Sequence, residues 1–200
     1  MIIWLASYPK SGNTWLRSLL SSYYYSEDGN FTFDLLKNIS QFPQSKFINK
    51  SSSRPGDSAK YWISSQKKII EDKKIKFFKT HNALLNINNY RFTTPEITCG
   101  AIYIVRDPRN IITSLKNHYE TSYNEAINFM TSDRKYIYDT TENPINLSSF
   151  QFLSSWSMHY KSWVYHTPFK TLLVKYEDLL NNQKEIFKKI ITFVNKISNL

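Results

Sequence analysis

The start of the chain most constrains what it can fold into. Ile2 to Ser7 (IIWLAS) is a short apolar run that breaks at Tyr8-Pro9-Lys10-Ser11-Gly12, after which Trp15, Leu16, Leu19, Leu20 and Tyr23 recur at helical spacing. The pattern predicts strand, tight loop, helix. Such a unit is a ready anion site, because the first backbone N–H groups of a helix are unpaired and its dipole favours negative charge there. Gly12 permits close backbone approach, while Lys10, Ser11 and Thr14 offer donors. It is not the nucleoside-triphosphatase loop, which needs Lys directly after its second Gly, where Asn13 stands here. A plain strand-to-helix turn is the bland alternative.

The same alternation continues. Ala59, Trp62, Ile63, Gln66, Ile69 and Ile70 share a helical face, and Ile75 to Lys79 (IKFFK) reads as a strand with a loop from Thr80. Cys99 to Arg106 (CGAIYIVR) is the best buried strand, and Asp107-Pro108 starts a helix expected to reach Tyr119. Phe150, Leu153, Ser157, Tyr160 and Val164 predict another helix, Thr171 to Lys175 a strand, and Ile186 to Val194 a last amphipathic helix. Residues 26–57, broken by Gly29, Pro43, Pro55 and Gly56, read as an irregular excursion. Strands alternating with helices, without a hairpin signal, predict an α/β chain: a P-loop-like three-layer fold with a central parallel β-sheet flanked by helices. With no repeat and no long linker, residues 1–200 are expected to form a single domain.

Composition narrows the function classes. At 41% hydrophobic with four Gly, the chain is neither collagen-like nor disordered. The lone Cys99 excludes an internal disulfide and a multi-Cys metal site. No signal peptide or membrane span is visible, so a cytoplasmic location is expected. The net charge of +10 favours anionic partners. Nucleic acid is not expected among them, since the basic residues are dispersed and form no known module.

Ser7 to Trp15 (SYPKSGNTW) resembles the 5′-phosphosulfate loop, Y-P-K-S-G-T-x-W, of sulfotransferases that use 3′-phosphoadenosine 5′-phosphosulfate (PAPS). Arg106 with Ser114 in IVRDPRNIITS is similar to the family's 3′-phosphate site, and Lys79-Thr80-His81 matches the K-T-H that carries its catalytic histidine. His159 to Trp163 (HYKSW) and Leu173 to Leu179 (LVKYEDL) also look like family segments. These short matches keep the family's order from residue 2 to about residue 194. The family continues with a glycine-rich R-K-G-x-x-G segment, which this sequence lacks; the resemblance therefore implies a truncated or minimal member, or a site completed by another chain.

The resemblance implies a sulfotransferase with PAPS as co-substrate, 3′-phosphoadenosine 5′-phosphate (PAP) as product and no metal. His81 is the implied base; from the chemistry of the site, Lys10 is expected to meet the leaving phosphate, and Lys79, two residues before His81 and on the same strand face by period-two alternation, to steady the transferring group. Lys10, Ser11, Gly12, Asn13, Thr14, Trp15, Arg106, Ser114 and Tyr176 are the implied nucleotide-binding residues, with Trp15 and Tyr176 at the adenine. Each has a plainer reading: Trp15 as core, Thr14 as a helix-start residue, and Arg106 paired with Asp107, Glu177 or Asp178. His118, His159 and His166 lack such context and are read as structural. The acceptor is expected to be a small molecule or glycan-like, with residues 26–57 and 120–150 as positional candidates for its pocket. The oligomeric state is not legible. A nucleotide kinase and a nucleotide-binding protein without turnover stay open as rival readings.

Overall fold

The structure is a computed structural model, and it describes residues 1–48, 50–141, 146–165 and 167–198. Its centre is a four-stranded, all-parallel sheet in the order β2-β1-β3-β6, formed by β1 (Ile2–Ser7), β2 (Lys76–Thr80), β3 (Thr98–Val105) and β6 (Thr171–Lys175). Every residue of β1 is buried, as expected of a central strand covered on both faces. Alternate residues feed two cores. Ile2, Trp4 and Ala6 pack with Trp62, Phe92 and Trp163 on the side of α2 (Trp62–Ile69) and α5 (Trp156–Val164). Ile3 and Leu5 pack with Leu16, Leu20, Ile190 and Val194 on the side of α1 (Asn13–Tyr25) and α7 (Gln183–Ser198). This is the three-layer α/β arrangement that the alternation of elements predicts.

Close approach of α7 depends on Gly100. A Cβ there would lie 2.7 Å from Ile197 Cδ1 and 3.0 Å from the Lys170 carbonyl oxygen. α3 (Pro108–Tyr119) starts where Asp107-Pro108 predicts, with the Asp107 side chain accepting from Arg109 N–H at 2.9 Å. Its buried Ile111 and Leu115 pack with Tyr8, Ala126, Met130 and Leu153 in a third core.

Residues 120–155 depart from expectation. A helix that the sequence reading passed over, α4 (Tyr123–Thr131), is closed by a Ser122/Glu125 capping box. The helix expected from Phe150 starts only at Trp156, because Gln151–Phe152 (β5) pairs antiparallel with Tyr136–Ile137 (β4). That pairing, whose partners lie far apart in sequence, overrides the apolar spacing of Phe150 and Leu153. Strand β2 also runs through Thr80, where a loop was expected. The short α6 (Tyr176–Asn181) follows β6 directly. Among the described residues no helix is long and apolar enough to cross a membrane.

Candidate active site

Parallel register gathers the strand ends. Ala6 lies opposite Thr80, Ser7 opposite Ile104, and Val105 opposite Lys175. The chain leaves β1 toward β2 on one side and β3 on the other, so a crevice opens at the carboxyl edge where the order switches. It holds a cavity of about 720 Å³, whose walls include Lys10, Gly12–Trp15, Lys79, His81, Arg106, Ser114 and Tyr176. Of the sequence-derived site residues, only Ser11 is off this wall.

The loop between β1 and α1 is held in an unusual shape. Lys10 has φ +67° and Gly12 φ +95°, both left-handed. Gly12 is required twice over, since a Cβ there would also stand 2.5 Å from Tyr176 Cδ2. No side chain caps α1, so Thr14 does not hold the helix start, and the first-turn N–H groups face the crevice unpaired by a cap. Ser11 is buried with its hydroxyl unpartnered. Asn13 turns its side chain back into the sheet, donating from Nδ2 to the Leu5 carbonyl (2.9 Å) and to Ser7 Oγ (3.1 Å). Its Oδ1 stays buried without a partner.

Arg106 leaves β3 and lies across the loop. Its Nη1 donates to the Lys10 carbonyl (3.1 Å), its guanidinium carbon sits 4.4 Å from the Tyr176 ring centroid, and its buried Nε has no partner. Two of the three carboxylates that the plainer reading assigned to it are otherwise placed: Asp107 pairs with Arg109, and Glu177 accepts from the Asp107 N–H at 3.1 Å. Among the described residues Arg106 has no carboxylate partner. Trp15 meets Tyr176 edge to face at 5.6 Å, lines the cavity and also packs against the α1-side core.

His81 follows β2 and does not belong to it, so its orientation comes from contacts other than strand alternation. Nδ1–H donates to the Ser7 carbonyl at 2.7 Å, with Ser7 Oγ at 3.2 Å. A carbonyl only accepts, so this bond fixes the tautomer and leaves the lone pair on Nε2. Burial and the neighbouring Lys79 ammonium hold the imidazole well below its ordinary pKa, hence neutral. Lys79 donates to Gln41 Oε1 at 2.9 Å, and burial, then the nearby Arg17, lower its pKa to about 8.

Sequence reasoning missed the residues that hold His81. Gln151 Oε1 accepts from the His81 N–H (2.8 Å), and His159 Nε2 donates to the His81 carbonyl (3.0 Å) while Tyr103 OH donates to His159 Nδ1 (2.9 Å). Burial pushes the His159 pKa down to about 4. Gln41 and His118 also line the cavity. His118 carries a local signal, four positions after Ser114 on the same helix face. Gln41 and Gln151 carry none. His166 lies outside the described residues.

An all-parallel sheet flanked by helices, with a glycine-containing loop leading from β1 into α1, is a P-loop-like three-layer α/β fold. A sulfotransferase-domain family model matches residues 2–199, and the chain belongs to that family. No curated protein matches it in sequence. Among solved structures, a retinol dehydratase in complex with retinol and PAP shares the fold at 17% identity and a TM-score of 0.50. The match covers 99% of this chain and 59% of that one, so the chain spans little more than half its neighbour's length.

Proposed function

We propose that this chain transfers a sulfuryl group from PAPS to a hydroxyl or amine of a small-molecule or glycan-like acceptor, with His81 as general base. One observation carries the reading: a neutral histidine, locked with Nε2 as its acceptor, shares a cavity with a cation that has no carboxylate partner. The residues fit the nucleotide. The uncapped α1 turn, Lys10 and the orphaned Ser11 hydroxyl suit a 5′-phosphosulfate, and Arg106 with its orphaned Nε suits a 3′-phosphate beside Ser114. Membership in the sulfotransferase-domain family supports the same assignment.

The chemistry is an in-line displacement at sulfur. As the acceptor oxygen or nitrogen bonds to sulfur, the bond from sulfur to the phosphate oxygen breaks, and PAP leaves with that electron pair. His81 Nε2 takes the acceptor proton. Lys10 and the loop N–H groups meet charge growing on the leaving phosphate, and Lys79 balances the sulfuryl oxygens. The Ser7 carbonyl then stabilises the imidazolium through Nδ1–H.

Calorimetry with PAP and adenosine 5′-phosphate tests the nucleotide site; PAP is expected to bind far more tightly, and equal affinities would remove the 3′-phosphate assignment. Labelled phosphosulfate with an acceptor panel tests transfer. Mg²⁺-dependent ATP turnover is expected to be absent, and finding it would favour the kinase reading.

A further inference from the structure

A second cavity of about 820 Å³ adjoins the first, sharing Tyr119, Ile137 and Tyr138 with it. It opens between α3, α4 and the β4–β5 pair, and its walls differ in kind. Leu115, Ala126, Phe129 and Ile137 supply apolar surface. Exposed aromatic faces stand over it: Tyr119 stacks on Phe129 at 5.6 Å, and Tyr136 on Tyr138 at 6.2 Å. Its volume, and the three residues it shares with the His81 cavity, suit a ring-bearing molecule whose reacting end is directed toward that cavity.

One group in this chamber is out of balance. Lys135, half-buried, holds its ammonium 4.1 Å from the Phe129 ring centroid. Burial lowers its pKa, and among the described residues it has no carboxylate partner. Glu125, the one carboxylate of the chamber wall, is taken up by the N–H and hydroxyl of Ser122. A partly desolvated cation on an aromatic face, in a cavity whose one wall carboxylate is already hydrogen-bonded to Ser122, is complementary to an anion on a flat apolar body.

We propose that this chamber is the acceptor pocket and that its acceptor is a hydroxylated aromatic or similarly flat apolar molecule carrying a carboxylate or sulfate, held by Lys135 away from the reacting hydroxyl. The inference rests on the sulfuryl-transfer reading and narrows its acceptor to an anionic class. The aromatic pairs cover the body of the molecule, and Lys135 sets which end enters first. A neutral acceptor of the same shape would bury the chamber's apolar wall equally well but leave the ammonium without a counter-ion.

The test uses the full chain, ω-(4-hydroxyphenyl)alkanoates of increasing length and their methyl esters. Binding is titrated into the PAP-saturated protein, and transfer is followed with labelled phosphosulfate. The acid at its best length should exceed its ester by about tenfold or more in affinity and in kcat/KM, the scale of a charge-assisted hydrogen bond in a partly desolvated site. Lys135→Met should bring that ratio close to one and Lys135→Arg should retain it, with PAP titration of each variant checking that it is folded. Esters equal to or better than acids in the wild type would overturn the inference, as would a ratio unmoved by Lys135→Met. If PAP binds but no member of the series does, the anionic-acceptor inference falls alone. If PAP does not bind, the sulfuryl-transfer reading falls first and takes this inference with it.

Discussion

The two adjoining cavities differ in what distinguishes their walls. The first carries Lys10, Lys79 and Arg106; the second carries Leu115, Phe129, Ile137 and three tyrosines, with Lys135 as its one cation and Glu125 as its one carboxylate among a few polar side chains. They also arise differently. The cationic cavity is assembled from segments that each end a strand of one parallel sheet, so its parts converge because the register aligns the strand ends. The aromatic chamber is assembled from a capped helix and a two-residue antiparallel pair, which meet through tertiary packing. The difference teaches that a cavity at the ends of parallel strands can be written in short motifs, whereas one built from connections depends on how those connections pack.

His81 lines the cationic cavity, and its loss should have the largest effect. His81→Ala is expected to lower transfer by about 10²–10⁴-fold, with PAP affinity nearly unchanged. A loss smaller than tenfold in a steady-state assay would mean that Nε2 is not the base. The acid limb of kcat/KM should lie below pH 6.5, because the folded-state pKa of His81 is lowered, and activity should decline above about pH 8 as Lys79 loses its proton.

The floor beneath His81 gives a stability prediction. Folded His159 titrates near 4, so between that value and the unfolded 6.5 the unfolded chain binds more protons. Its contribution is therefore complete above about pH 6.5 and is lost as the pH falls toward 4, on the order of 3 kcal/mol in total. Thermal melts across this window should show His159→Gln falling less steeply than the wild type. Parallel curves would place the titration elsewhere.

Two further variants sharpen the division between cavities. Arg106→Ala should weaken PAP by about 10- to 100-fold while adenosine 5′-phosphate changes little, measured by calorimetry. Phe129→Ala should leave PAP affinity within a few-fold and raise the KM of acceptors. If PAP responds to Phe129→Ala as strongly as to Arg106→Ala, the two cavities are not separate in function. Ser114→Ala should have the smallest effect, about a tenfold or lower loss of PAP affinity, the range of one hydroxyl hydrogen bond.

The sheet was legible because its strands are short apolar runs bounded by local breakers: Ile2–Ser7 before Pro9 and Gly12, and Thr98–Val105 before Asp107-Pro108. The turn from β1 into α1 was legible too, since Gly12 and the first turn of α1 lie within a few residues of one another. α4 could have been found, as Ser122-Tyr123-Asn124-Glu125 carries the capping-box spacing. The truncated start of α5 could not, because β4 and β5 lie far apart in sequence and pair through bonds that no local period encodes.

By itself the sequence determined the three-layer class, the parallel sheet, the strand–loop–helix unit at Ile2–Tyr25 and the candidates His81, Lys79 and Arg106, since each depends on neighbours within a turn or a strand. The tertiary structure alone decided that the Ser7 carbonyl fixes the His81 tautomer, that Gln151 and His159 hold its backbone, that Arg106 faces the loop and not a carboxylate, and that an aromatic chamber opens beside it. These are hydrogen bonds and packing contacts between residues distant in sequence. Their geometry exists only once the sheet register has brought the strand ends together.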